Sequence, residues 1–404
     1  MVQEHSIRQL NQVESVALLG LLMALVAFSI DAMLPAMGNI AEELSAADPV
    51  QAQLIVPVFV IGLGIGTLFC GPASDTYGRK PVVNFGVALF GVGTAVAWFA
   101  PTLEILLLGR LIQGLGASAA RVVAMAIIRD SYSGKDMARM ISFVIMVFTL
   151  VPAVAPSIGA AIIYLSDWRG IFVALLSFAV AIGTWFAVRQ PETLKPTQRQ
   201  PINIKSLSGA VVEVVSHKMV RNAIAVQCLC YAMLFTMLSV TQPIFDKVLG
   251  AADTFHLWFG AVAIVAIGGP LLNSQLVLKH GVHKIVSAVI TAQFLSCVIY
   301  LIALASGWVA ESSIAAFFLW QVMTFSMAGM TLGNLNALAL EPMGHIAGTA
   351  SSVVTAIGTV VAGALAVPAS GLFNGSQWPI IWVILGFAVI ARILLMNPVF
   401  KASA

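Results

Sequence analysis

The chain has 404 residues, of which 60% are hydrophobic and only 9% charged, with a formal net charge of +3. Soluble domains run at ~45–50% apolar and ~25% charged residues. These proportions therefore exclude a water-soluble globule, and so small and dispersed a positive charge does not suit a nucleic-acid binder.

Residues 1–13 are polar, and the first apolar run is too long for a cleaved leader and contains Asp31, so it reads as a retained span. Apolar runs recur at about 15–37, 52–73, 82–100, 103–128, 138–164, 169–188, 221–243, 254–277, 285–306, 313–338, 346–371 and 377–397. At ~1.5 Å per helical residue, runs of this length cross a hydrocarbon core of ~30 Å. Between the sixth and seventh lies one long polar stretch, opening Arg189-Gln-Pro-Glu-Thr-Leu194, with a surface helix expected near 207–217. The expected fold is an all-α polytopic membrane protein: twelve transmembrane helices in two pseudo-symmetric six-helix bundles. The expected boundaries are 1–188 for the N-terminal bundle, 189–220 for a cytoplasmic linker and 221–404 for the C-terminal bundle.

Lysine and arginine set the expected orientation. With the N-terminus inside, the cytoplasmic segments hold Arg8, Arg79, Lys80, Arg129, Lys135, Arg139, Arg189, Lys195, Arg199, Lys205, Lys218, Arg221, Lys279, Lys284, Arg392 and Lys401. The opposite face holds Arg169 and Lys247, and Arg110 and Arg121 fall within a span. Both termini are thus expected in the cytoplasm. A faint internal repeat supports duplication: the connection around Gly281 echoes the one around Gly78, without its aspartate. Cys70, Cys228, Cys230 and Cys297 all lie inside spans and read as small packing residues.

Asp31 is the one acid expected deep within a span, where a charge costs about 2.5–3.5 kcal/mol on insertion scales. Counting residues from the expected outer ends of the first and fourth spans puts Asp31 and Arg110 at equal depth, about 9–10 Å in. A carboxylate whose distance from a guanidinium or from water changes would change its proton affinity, as proton-coupled transport requires; a permanent ion pair locking two helices is the competing reading. Arg121 follows Arg110 by about three helical turns on the same face. It is expected either to attract anionic substrates or fix a gate, or to snorkel to the interface.

Gly71-Pro-Ala-Ser-Asp-Thr-Tyr-Gly-Arg-Lys-Pro81 packs ionic and turn-forming residues into a hairpin between two spans. Its Gly71, Asp75, Gly78, Arg79 and Lys80 match the signature loop of the major facilitator superfamily, G-x-x-x-D-x-x-G-R-K/R. Leu108-Gly-Arg-Leu-Ile-Gln-Gly-Leu-Gly-Ala117 resembles the arginine-centred fourth-helix motif of that superfamily. Ala155-Pro-Ser-Ile-Gly-Ala160 resembles the fifth-helix motif of its drug antiporters, G-P-x-x-G-G, with alanine at both flanking glycines and only Pro156 and Gly159 retained. Asp31-Ala-Met-Leu-Pro-Ala36, Ile128-Arg-Asp130 and Leu340-Glu-Pro-Met-Gly-His-Ile-Ala-Gly-Thr-Ala-Ser-Ser352 resemble the bicyclomycin-resistance (Bcr/CflA) group of drug:proton antiporters.

The resemblance implies alternating access by two rocking bundles, with proton-coupled multidrug export at a bacterial inner membrane. It implies a small amphipathic substrate, no cofactor beyond the proton gradient, and a monomer. In the resembled family the signature loop latches the outward-facing state, its aspartate and arginine engaging the second half and an acid at the inner end of helix four, which Asp130 matches. Pro156 and Gly159 imply a bendable, small-faced fifth helix. The substrate-binding candidates are Gln113, Arg121, Gln227, Tyr231, Phe235, Asn334 and Asn336. Gln227, Tyr231 and Phe235 repeat at i, i+4 on one face, and an apolar pocket with a few amides suits drug-sized molecules.

The sequence has no G-x-x-x-x-G-K-S/T loop for a primary pump, no H-E-x-x-H, and no channel filter. Its histidines, His5, His217, His256, His280, His283 and His345, fall at termini or loops. The chain is therefore not expected to be an enzyme. The alternative to drug export is a carrier for one metabolite, an amino acid or a sugar.

Overall fold

The computed structural model describes residues 10–199 and 204–396, so His5, Arg8 and Lys401 lie outside the described residues. Every regular element among the described residues is helical. Span one runs Gln12–Leu44, span two Pro49–Tyr77, span three Arg79–Trp98, span four Leu103–Ser131, span five Gly134–Leu165 and span six Gly170–Arg189. A surface helix, Ile204–Ser216, precedes span seven, Lys218–Lys247. Span eight is Ala252–His280, span nine Val282–Ala305, and span twelve Trp378–Leu395. Spans ten (Ile314–Leu340) and eleven (Ala347–Ser370) are joined by a 3-10 turn, Glu341–Ile346.

The twelve expected crossings are therefore present, but span one differs from its expected limits. Its α-helix stops at Asp31, passes through a 3-10 turn at Leu34–Ala36, and resumes as Met37–Leu44. Pro35 is the cause: it has no N–H to give to the carbonyl of Asp31 four residues before. The span ends not near residue 37 but at Leu44, so the depth counted for Asp31 from that end was too shallow. Span eight breaks likewise at Ile267, where Pro270 follows by three residues. Span five runs unbroken through Pro152 and Pro156.

The alternating path collects the lysines and arginines of the described connections at one end, here the base-rich end. The other, base-poor end carries Glu42, Glu43, Asp48, Glu104, Asp167, Asp246, Asp253 and Glu311 against only Arg169 and Lys247. Arg169 is itself bound to Glu43, whose other oxygen accepts from Trp168 Nε1 at 2.6 Å.

Span four is gripped by spans two and three, and the bundles meet along spans two and eleven. That seam is made of small residues. A Cβ on Gly64 would stand 2.7 Å from Val360 Cγ2 and 2.9 Å from its backbone nitrogen, and one on Gly363 would stand 2.7 Å from Ile61. The 3-10 turn of span one touches both span five and span seven, so its break lies where the bundles face each other. The repeat is visible in the backbone. Gly78 (φ 103°, ψ 160°) and Gly281 (φ 79°, ψ 158°) occupy the same region, which side-chain-bearing residues avoid, at the same two hairpins.

Candidate functional site

Arg110 is fully buried in span four. Gly114, one turn on, lets span four lie directly on the carbonyl of Phe59, and the Phe59 ring takes the guanidinium carbon 4.5 Å from its centroid. The guanidinium donates to Gln113 Oε1 at 2.7 Å, to the Ser29 carbonyl at 3.0 Å and, more weakly, to the Ile55 carbonyl at 3.4 Å. The Ser29 carbonyl is available because the helix ends here: the Met33 amide bonds Ile30 instead. Terminal carbonyls are the negative pole of a helix, so the buried cation caps span one rather than its carboxylate.

Asp31 itself is buried, and no hydrogen bond or ion pair reaches its side chain. The structure thus brings Arg110 to span one two residues from Asp31 without joining the two charges, so the permanent ion pair is not formed. Gly159 of span five packs with its Cα face on the Ala32 carbonyl, where any side chain would collide. The fifth-helix motif therefore leans on the residue next to Asp31. Pro156 lies one turn before it, and its neighbour Ala155 is buried.

Gln113 does not face an open pocket. It is fully buried, receives Arg110 and donates to Thr94 Oγ1 of span three at 2.7 Å. Arg121 is half-buried with no hydrogen-bond or ionic partner. In the C-terminal bundle, Tyr231 and Phe235 stack, with ring centroids 5.5 Å apart at 10°. Gln227, one turn before Tyr231, is buried with its Oε1 unbonded and lies against Gly358 of span eleven. Asn334 instead ties spans: its amide donates to Asn273 Oδ1 of span eight and to the Met330 carbonyl, both at 2.8 Å. Asn336 keeps an unbonded, buried Oδ1.

The signature hairpin forms a network inside the N-terminal bundle. Arg79 binds Asp75 and, through Nε, Asp130 Oδ2 at 2.8 Å, while its Nη1 also donates to Ser74 Oγ at 2.8 Å. Gly71 faces Ser352 of span eleven across the seam. The Lys80 side chain makes no bond; its backbone N–H does. Sequence reasoning missed the acceptor, Glu192. Its carboxylate receives the N–H groups of Arg79 (2.9 Å) and Lys80 (3.0 Å), and so caps the start of span three. Thr193 Oγ1 adds a donor to Asp130 Oδ2 at 3.0 Å. The only signal was an acid placed directly after span six, in a stretch read simply as linker.

The profile of the Major Facilitator Superfamily matches residues 19–367. The chain belongs to this superfamily. It is 27% identical over 380 residues to the uncharacterized MFS-type transporter YdgK of Bacillus subtilis, covering 93% of each chain. It is 28% identical over 344 residues to the bicyclomycin resistance protein homolog of Haemophilus influenzae (84% of each). With the multidrug resistance protein MdtL of Escherichia coli O157:H7 it shares 26% over 385 residues, again 93% of each. Among solved structures, the partially occluded inward-open xylose transporter XylE of E. coli superposes with a TM-score of 0.74 at 12% identity, over 95% of this chain and 97% of that one. At that identity the likeness concerns the fold.

Proposed function

We propose that this superfamily member is a proton-coupled exporter of small amphipathic compounds, a multidrug efflux carrier working by alternating access. The observation that carries the reading is Asp31. It is a buried acid with no bonded partner, at a break in span one, where the 3-10 turn meets spans five and seven. A carboxyl group in that position is free to exchange a proton as the bundles change their contact. The relatives named for bicyclomycin and multidrug resistance support the substrate class.

The lysine and arginine bias supports an orientation with the base-rich end, both termini and the linker in the cytoplasm of a bacterial-type inner membrane. The chain works as a monomer on this reading. The Arg79–Asp75–Asp130 cluster is the latch, and the stripe Gln227, Tyr231, Phe235 together with Arg121 and Asn336 supplies the substrate contacts.

The test is efflux of a fluorescent amphipathic drug in everted vesicles, with and without a proton gradient. Wild type should accumulate the drug only when energised. Asp31→Asn should lose uphill transport, by about 100-fold or more, while remaining folded in the membrane. Full uphill transport by Asp31→Asn would end the proposal. Gradient-driven movement of a single amino acid or sugar, with no drug moved, would favour the metabolite carrier instead.

A further inference from the structure

At the base-poor end, between the bundles, lies a cavity of about 830 Å³ that touches none of the substrate-binding candidates. Such a volume suits a drug-sized molecule. Three carboxylates from three segments line it: Glu42 at the end of span one, Asp246 at the end of span seven, and Asp253 in the 3-10 turn that opens span eight. Glu42 and Asp253 have no ionic partner; Asp246 has only its neighbour Lys247, at 3.3 Å. His256 is the one basic group among the lining residues.

The wall also contains Gln242, whose side chain is unusual. It is only 7% exposed, it faces the cavity, and its amide has no hydrogen-bond partner in the protein. The amide nitrogen reaches across from span seven to Gly38 of span one, 3.5 Å from where a Cβ would stand. Its stem is buried and its polar end opens on the cavity, where the amide is free to donate to or accept from a ligand. Tyr164 contributes an exposed ring to the same wall.

The carboxylates are spread too widely for a compact ion: among the described residues no three His, Cys, Asp or Glu side chains converge as metal ligands do. What fits is a larger cation, with an aromatic or alkyl body and a charge that several separated carboxylates can share. We propose that this cavity is a binding site for amphipathic organic cations, held by Glu42, Asp246 and Asp253, with Gln242 as hydrogen-bonding partner and Tyr164 as ring contact. The inference rests on the exporter reading for its role, since the orientation argued there puts the cavity at the outer mouth. The acids of that end would draw cations towards it.

The test uses the purified full chain in detergent with no gradient. Ser157 lines the cavity, so Ser157→Cys on a Cys70→Ala background is labelled with a methanethiosulfonate reagent, and ethidium is used as the organic cation. Saturating ethidium should slow labelling about fivefold or more, and a neutral amphiphile such as chloramphenicol should not. In the triple variant Glu42→Gln, Asp246→Asn, Asp253→Asn the protection should disappear. Asp253→Asn alone, on an exposed turn, should raise the half-protecting ethidium concentration by about threefold. This single variant keeps the test decisive if the triple variant does not fold. Labelling unaffected by ethidium, or protection undiminished by neutralising the acids, overturns the inference. A chain that shows protection but never pumps overturns the exporter reading alone; one that pumps without protection overturns the cation site alone.

Discussion

Arg110 is a fixed charge in the interior of a bundle, and its surroundings show how such a charge is tolerated. Three acceptors and an aromatic face surround the guanidinium, and two of the acceptors are backbone carbonyls. The single side-chain acceptor is Gln113. Gln113→Leu would leave one donor of a buried cation unmet and remove the donor to Thr94 Oγ1, which keeps its own bond to the Phe90 carbonyl; hydrogen bonds to charged groups are worth about 1.5–3 kcal/mol. The expected result is a loss of about 2 kcal/mol of stability, read as a lower thermal unfolding midpoint in detergent. Substrate affinity should change little, because Gln113 is sealed from open space. An unchanged midpoint with weakened drug binding would return Gln113 to the substrate contacts.

At the scale of elements, two features govern how the bundles can move. The first is the hairpin between spans two and three. Asp130 is shared by Arg79 and Thr193 and is only 20% exposed, whereas Asp75 is 53% exposed and holds Arg79 alone. Exposed ion pairs contribute little and sheltered, shared ones more. If the cluster is the latch, Asp130→Ala should slow turnover about fivefold more than Asp75→Ala, with equilibrium drug binding nearly constant in both. Initial efflux rates beside binding isotherms would check this, and equal rates in the two variants would count against the latch. The second feature is the seam of spans two and eleven. A branched side chain at Gly64 must push on the backbone of Val360, and overpacking of this kind costs about 1–3 kcal/mol. Gly64→Val is expected to cut transport about tenfold at normal membrane abundance. Gly386→Val in span twelve, where a Cβ meets nothing within 4 Å, should be nearly silent.

For the whole molecule, what the sequence disclosed follows from physical range. Twelve crossings were legible because each must be apolar over its own length, a local property. The break after Asp31 was within reach, since Pro35 stands in the sequence, but a run counted only for hydrophobicity passes over it. The duplicated hairpin was faintly legible through Gly78 and Gly281, and the backbone angles at both positions bear it out. The partners of Arg110 were not legible, because two of them are carbonyls that every residue carries and only the three-dimensional path of spans one and two brings them near. Glu192 was hidden for a similar reason: the donors to its carboxylate are backbone N–H groups more than a hundred residues away. The expected equal depth of Asp31 and Arg110 suggested facing charges, whereas the guanidinium bonds the Ser29 carbonyl in the last turn of the first helix.

That Asp31 stands without a bonded counter-charge has one more consequence for such a carrier. Exchanging one H⁺ for an uncharged cargo moves net charge inward on every cycle, so voltage as well as acidity drives it, by about 2.3 kcal/mol per 100 mV. Exchanging one H⁺ for a monovalent cation is electroneutral, and collapsing the voltage with a potassium ionophore would then leave that flux untouched while slowing the other.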